Sequence, residues 1–271
     1  MDWRTAAKGI LSVRAGAFPE VLDEEVGDWM AQGEAPIVMS GMVGSRQGWV
    51  EAPYVPCPAG LAEIAAAVRE VRWAAGTKRR RAWIVPGLSC RDGAGVHDVM
   101  RGEEMQILGA GEDGHICLPG THSKWVVVDN GKIVRFSTYM TGELYAVLKQ
   151  HSILGRMMQE AEADPRAFSD GVERSGQPGG LLHHLFGVRT RGLMGELAAA
   201  ASASYLSGIL IGHELRAYEA KKLCLLGTPQ LAALYAQAAA ALGIEARTLD
   251  PDAAVRALFR LGVMLRGEEE P

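Results

Sequence analysis

From Phe18 onward the apolar residues Phe18, Val21, Leu22, Val26, Trp29 and Met30 recur at intervals of three and four, the stripe of an amphipathic helix. Leu61, Ile64, Val68 and Val71 form a second stripe and predict a second helix. Pro36 to Ser40 is a short apolar run leading into a glycine-rich loop, and Ala82 to Val85 is another; both read as buried strands. Gly9 to Val13 carries a hint of strand, and Asp98 to Gly109 reads as helix. Strands separated by helices predict an α/β layered domain.

Past Gly111 the pattern changes. His115 to Leu118, Trp125 to Val128 and Lys132 to Tyr139 are apolar runs joined by turns, with Asn130-Gly131 supplying the positive φ values of a tight hairpin. The change from helix-separated strands to a meander predicts a domain boundary here, between residues 1–110 and 111–271. Beyond it Thr141 is the expected cap of a helix over Gly142 to Gln150, Asp164 to Gly180 reads as a polar connection, and Glu196 to Tyr218 as a long apolar helix. Lys222 to Leu226 reads as a buried strand. Thr228, Pro229 and Gly243 then bracket a helix by the N-terminal Pro and C-terminal Gly rule, and Asp250-Pro251 starts a last helix through Leu265.

Composition narrows the function classes. Of 271 residues 48% are hydrophobic, the opposite of a disordered composition. Lys and Arg number 28 against 32 Asp and Glu, a net charge of -4, so no global positive field attracts a nucleic-acid backbone. The basic run Lys78 to Arg81 reads as a solvated helix-to-strand connection. Cys57, Cys90, Cys117 and Cys224 are scattered without metal-binding or disulfide spacing, which suits a reducing cytoplasm. No window approaches the roughly 18 uninterrupted apolar residues of a membrane span. A soluble cytoplasmic protein is expected, with no protein metal site and no nucleic-acid or membrane partner.

Four segments can carry chemistry. Leu118-Pro-Gly-Thr-His-Ser-Lys-Trp125, set between two strands, can wrap backbone N–H groups around a phosphate oxygen, with Lys124 adding charge; it can equally be an ordinary polar turn. Ser40 to Trp49 holds three glycines that permit close backbone approach to a ligand, with Ser45, Arg46 and Gln47 suited to a hydroxylated anion; alternatively it is a plain glycine-rich turn. Glu103 and Glu104, in the stretch His97 to Gln106, either complement a helix dipole or supply a general base. Gly227-Thr228 places backbone N–H groups at a helix start after a buried strand, where a nucleotide can lie, or simply caps it. His183-His184 and His213-Glu214 read as packing residues rather than a metal site.

Met39 to Trp49, Asp98-Val-Met-Arg-Gly-Glu-Glu104, Leu118 to Trp125 and Leu181-Leu-His-His-Leu-Phe186 together resemble the 2-dehydro-3-deoxygalactonokinase family, over about Lys8 to Leu261. The resemblance implies a two-domain, ribonuclease H-like (actin-like ATPase) α/β kinase fold with a ligand cleft. It further implies transfer of the ATP γ-phosphate, with Mg²⁺, to the 6-hydroxyl of 2-dehydro-3-deoxy-D-galactonate in galactonate and galactose catabolism. Carried over residue by residue, Gly120, Thr121, His122, Ser123 and Lys124 look like a phosphate-binding turn, and Gly227 and Thr228, with Gly208, like nucleotide-binding positions. Ser40, Met42, Gly44, Ser45, Arg46 and Trp49 look like the sugar-contacting segment. Arg101 or Arg46 would pair with the substrate carboxylate, and Asp98 or Glu103 would serve as the base. A homodimer is left open. Family members begin with an Asp-Trp-Gly-Thr hairpin; Met1-Asp-Trp-Arg-Thr5 has Arg4 in place of that glycine, so a truncated or inactive sugar-acid-binding homologue is the alternative expectation.

Overall fold

The computed structural model describes residues 2–31, 36–75 and 78–267. By internal contacts the chain forms two compact units, Met1–Asp113 with Val128–Arg135 and Asp252–Pro271, and Gly114–Val127 with Phe136–Pro251. The segments 128–135 and 252–271, which the expected 111–271 domain holds, thus group with the first unit.

The first unit runs α1 (Phe18–Ala31), β1 (Val38–Met39), β2 (Tyr54–Pro56), α2 (Leu61–Ala65), β3 (Arg69–Ala75), β4 (Lys78–Ile84), β5 (Gly87–Arg91), β6 (His97–Met100) and α3 (Glu103–Ala110). One sheet has the order β1-β4-β3, another β2-β5-β6; in each, the first pair is parallel and the second antiparallel. The helix expected through Val71 ends at Ala65, because Glu70 to Ala74 alternate exposed and buried with period two, Val71 and Trp73 pointing inward. The basic run is not a connection: Arg79, Arg80 and Arg81 pair with Ala74, Trp73 and Arg72 as part of β4. Gly9 to Val13 is not a strand either, but holds a single 3₁₀ turn over Ile10–Ser12. The core of this sheet joins Ala52, Val71, Trp73, Ala82 and Ile84.

The rest of the chain adds β7 (Gly114–Leu118), β8 (Ser123–Asp129), β9 (Lys132–Tyr139), α4 (Thr141–His151), α5 (Pro165–Arg174), α6 (Gly180–Leu193), α7 (Ser202–Arg216), β10 (Lys222–Leu225), α8 (Pro229–Ala241), β11 (Glu245–Thr248) and α9 (Ala253–Arg266). The sheet order is β11-β10-β7-β8-β9, with β10 parallel to both neighbours. The expected hairpin turn is present, Asn130 and Gly131 having φ of 50° and 68°, and the Asp113 carboxylate accepts from both their N–H groups at 3.1 and 3.0 Å. Helix α9 returns to the first unit, where Arg256 Nε donates to the Gly109 carbonyl at 2.9 Å.

The polar stretch Asp164 to Gly180 is not a connection; it contains α5. Asp164 Oδ1 caps that helix, accepting from Arg166 and Ala167 N–H at 3.0 Å, and Pro165 stands at the first turn. Helix α5 crosses α7 at backbone distance. A Cβ on Gly208 would lie inside van der Waals contact of the Phe168 carbonyl oxygen, and one on Gly171 inside that of Tyr205. Gly208 is therefore a packing residue of this crossing. Gly208→Ala is expected to destabilise the protein by about 1–3 kcal/mol through overpacking. Gly187→Ala, in α6 with open space around the new methyl, is expected to be neutral or stabilising by up to about 1 kcal/mol; denaturant titration of both variants checks the contrast.

Candidate active site

In the first unit the glycine-rich loop after β1 folds back against the start of α3. Gly41 and Gly102 have φ of 91° and 109°, and a Cβ on Gly102 would sit 3.1 Å from the Gly41 α-carbon, so the approach admits only glycine at this point. Gly102 also ends the strand β6 and starts the helix, which is why Asp98 is not helical. It pairs with Cys90 across the β5–β6 ladder, and its carboxylate accepts from Val99 N–H at 2.7 Å. Glu103 opens α3, its Oε2 accepting from Arg101 N–H at 3.0 Å.

Arg101 lies between Tyr54 and Ala52. Its guanidinium carbon is 4.3 Å from the centroid of the Tyr54 ring, and Nη2 donates to the Ala52 carbonyl at 2.8 Å. Nη1 is 3.1 Å from where a Gly44 side chain would begin. Nε and Nη1 are buried with no protein partner among the described residues, as is Ser45 Oγ. Arg46 is different: its side chain is 88% exposed and paired with Glu51. Trp49, expected to touch sugar, is partly buried and packs against the core of the first sheet, stacked on Phe18 with ring centroids 6.4 Å apart and edge-on to Trp73 at 5.3 Å. Met42 stays half exposed on the loop, and Gly44 is buried under it.

Glu104 was legible only as a first-turn acid, yet it is fully buried. Its Oε2 accepts from Gly102 N–H at 2.7 Å and its Oε1 faces the Ser40 hydroxyl at 3.4 Å, so it ties the glycine-rich loop to the start of α3. Its position on the face shared with Ile107 and Leu108 was the available signal, since a carboxylate on an apolar helix face is bound for the interior. Burial pushes its carboxyl up to about 7, against the opposing hydrogen bonds from Gly102 and Ser40.

In the second unit the β7–β8 connection, Pro119 to His122, and the turn Gly227-Thr228 after β10 stand at the same end of adjacent parallel strands. Leu225 pairs with Cys117, Leu226 N–H donates to the Cys117 carbonyl at 2.9 Å, and a Cβ on Gly227 would lie 3.4 Å from the Pro119 oxygen. Thr121 and His122 are exposed. Thr228 occupies the N-cap position of α8, but its side chain makes no capping bond. The start of α4 grips the first turn: Glu143 N–H donates to the Thr121 carbonyl at 2.9 Å, its carboxylate pairs with His122, and Gly142 packs on the Gly120 carbonyl. Ser123 and Lys124 do not belong to this turn. They begin β8 and are buried, the Ser123 hydroxyl 2.9 Å from that of Tyr235 and Lys124 Nζ donating to Thr138 Oγ1 at 2.8 Å.

A family model for 2-keto-3-deoxy-galactonokinase matches residues 1–261. The chain belongs to that family. A Rhizobium meliloti protein assigned as 2-dehydro-3-deoxygalactonokinase is 40% identical over 94% of this chain and 86% of the relative. The 2-dehydro-3-deoxygalactonokinase of Escherichia coli is 35% identical over 96% and 89%. A crystal structure of a Sinorhizobium meliloti protein with the same assignment superposes with a TM-score of 0.82, at 38% identity over 91% of this chain and 85% of that one. The α/β kinase fold and the kinase family expected from the sequence are thus the ones found. Among the described residues no helix is long and apolar enough to cross a membrane.

His184 and His213 are packing residues of this family member: His184 is buried, its Nδ1 2.9 Å from His213 Nε2 and its Nε2 3.2 Å from the Pro178 carbonyl. His183 is exposed.

The raised Glu104 carboxyl predicts a pH dependence. A group whose acid form is favoured on folding contributes stability that is complete below its unfolded value near 4.5 and is lost as pH rises through about 7. Glu104→Gln removes that loss. The stability of the variant relative to the wild type is expected to rise between pH 5 and 8, by up to about 3 kcal/mol; thermal melts across that range check the sign.

Proposed function

We propose that this kinase transfers the γ-phosphate of ATP to the 6-hydroxyl of 2-dehydro-3-deoxy-D-galactonate, its second unit holding the nucleotide and its first the sugar acid. The observation that carries the nucleotide half is the pairing of Leu225 with Cys117, which brings the Pro119–His122 and Gly227–Thr228 turns together at the carboxyl ends of parallel strands, where α/β sheets bind ligands. In this reading Gly120, Thr121 and His122 take the phosphates, and Gly227 and Thr228 the nucleoside side. A cavity of about 450 Å³ in the same unit, lined among others by Lys149, Ser204, Ser207, Leu234 and Gln237, is of a size for a nucleoside. The start of α8 lies about 8 Å along the helix from Leu234 at 1.5 Å per residue.

The acceptor half rests on Arg101 and Glu103. A buried guanidinium with two unmatched donors, Nε and Nη1, favours an anion; Arg101, rather than the exposed Arg46, is the residue assigned to the sugar acid. Ser40, Met42, Gly44 and Ser45 line the same loop. Glu103 is preferred over Asp98 as base because it starts a helix at the Gly102–Gly41 contact beside that loop, whereas Asp98 lies within the β5–β6 ladder. Its carboxylate would orient the hydroxyl and accept its proton while attack on phosphorus proceeds in line. Mg²⁺ would neutralise charge on the phosphate oxygens.

An ADP-coupled assay with 2-dehydro-3-deoxygalactonate tests the reading. ADP release dependent on that acid is expected, and none with either it or the gluconate epimer refutes it. Glu103→Gln is expected to lower kcat by about 10²–10⁴, while Asp98→Asn stays within a few-fold of the wild type. Arg101→Lys should raise KM for the sugar acid and leave KM for ATP unchanged, since a compact ammonium does not reproduce the separate donors of a planar guanidinium. An equal loss in both KM values would remove Arg101 from the acceptor site.

A further inference from the structure

Glu214, on the last turn of α7, is 3% exposed and is the acceptor for an unusually complete set of donors. Trp125 Nε1 donates to its Oε1 at 2.6 Å and the Tyr235 hydroxyl to its Oε2 at 2.7 Å. The Thr141 hydroxyl bonds to the same carboxylate, and so does Ser123, whose Oγ also lies 2.9 Å from the Tyr235 oxygen. An indole N–H can only donate, so Trp125 requires an acceptor in this otherwise apolar core of Phe168, Val172, Ile211 and Leu215.

The donors are not scattered. Ser123 is the residue that follows the Pro119–His122 turn. Thr141 opens α4, the helix whose next two residues hold the Gly120 and Thr121 carbonyls. Tyr235 lies on α8, which Gly227 and Thr228 lead into. One carboxylate on a fourth element therefore anchors the flanks of both turns, and does so beneath them, out of reach of any ligand.

We propose that Glu214 is a positioning residue for the nucleotide, setting the spacing between the phosphate turn and the start of α8 through Ser123, Thr141 and Tyr235. The proposal rests on assigning the two turns to ATP. Burial raises the Glu214 carboxyl while the four donors oppose it. Such a group costs more to lose than a buried neutral bond, because its donors are left without an acceptor in a dry core.

The experiment measures KM for ATP, KM for the sugar acid and melting temperature for the wild type, Glu214→Gln, Tyr235→Phe and Ile211→Val. The last trims the same core without touching the network and reports what loss of packing alone does. Glu214→Gln and Tyr235→Phe are expected to raise KM for ATP at least fivefold, with KM for the sugar acid within twofold of the wild type. Ile211→Val is expected to lower the melting temperature and leave both KM values in place. An unmoved KM for ATP in Tyr235→Phe, or a change in Glu214→Gln matched by Ile211→Val, overturns the proposal. Should Glu214→Gln fail to fold, Tyr235→Phe decides alone, because it removes one donor and leaves the carboxylate its remaining partners. A wild type that shows neither ATP binding nor turnover defeats the nucleotide assignment and this inference with it; normal wild-type kinetics beside an unmoved Tyr235→Phe defeats the inference only.

Discussion

Two parallel strands in register, with Leu225 opposite Cys117 and Cys224 opposite Ile116, set the terms for the second unit. Parallel pairing brings the carboxyl ends of both strands to one edge of the sheet, so the turns that follow them share a location although more than a hundred residues separate them in the chain. Cys117, Leu223 and Leu225 are buried and belong to one apolar cluster with residues of α5, α7 and α8. A slip of one residue would turn every one of those side chains to the opposite face. The register is thereby held by the core, and the positions of Gly120 and Gly227 follow from it.

Close backbone approach does similar work elsewhere. The α5–α7 crossing depends on Gly171 and Gly208, and the junction of the glycine-rich loop with α3 on Gly41 and Gly102. In the first case the small residues let two helices pack with carbonyls in contact. In the second they let a loop and a helix start meet at positive φ, which places Arg101, Glu103 and Glu104 around one point of the glycine-rich loop. The same residue type lets helices cross in one unit and lets a loop meet a helix start in the other, and nothing in the local sequence separates the two uses.

Each unit also buries one carboxylate under a site assigned to a substrate. Glu104 bonds Gly102 and Ser40 beneath the glycine-rich loop, and Glu214 bonds Trp125 and Tyr235 beneath the Pro119–His122 and Gly227–Thr228 turns. Charged groups are rarely buried without partners, and here the partners are the residues that shape the binding loops. A desolvated acid with several donors fixes directions that apolar packing leaves loose.

Much of this was legible from the chain. The α1 stripe, the Asn130-Gly131 hairpin and the Thr228-Pro229 helix start follow from local periodicity and turn chemistry, and long unusual segments such as Asp98 to Glu104 and Leu118 to Trp125 carried the family. Local pattern failed where strand and helix signals overlap: Leu61 to Val71 divides into a helix and a strand because Trp73 and Val71 find Ala82 and Ile84 to pack against, a fact outside the window. It failed again at Asp164 to Gly180, where polar and glycine residues form a helix because Gly171 meets α7.

Among the site residues, motif identity located the loops but did not say which way each side chain points. Ser123 and Lys124 are buried and Trp49 packs against the core of the first sheet, while Thr121 is exposed and Arg101 keeps two donors unmatched. The chain alone determined which residues form the turns and which family they serve, because turn geometry and motif spacing are properties of neighbours in sequence. Which side chains face the core and which face a ligand was decided only by the tertiary structure, since inside and outside exist only once strands distant in sequence have paired.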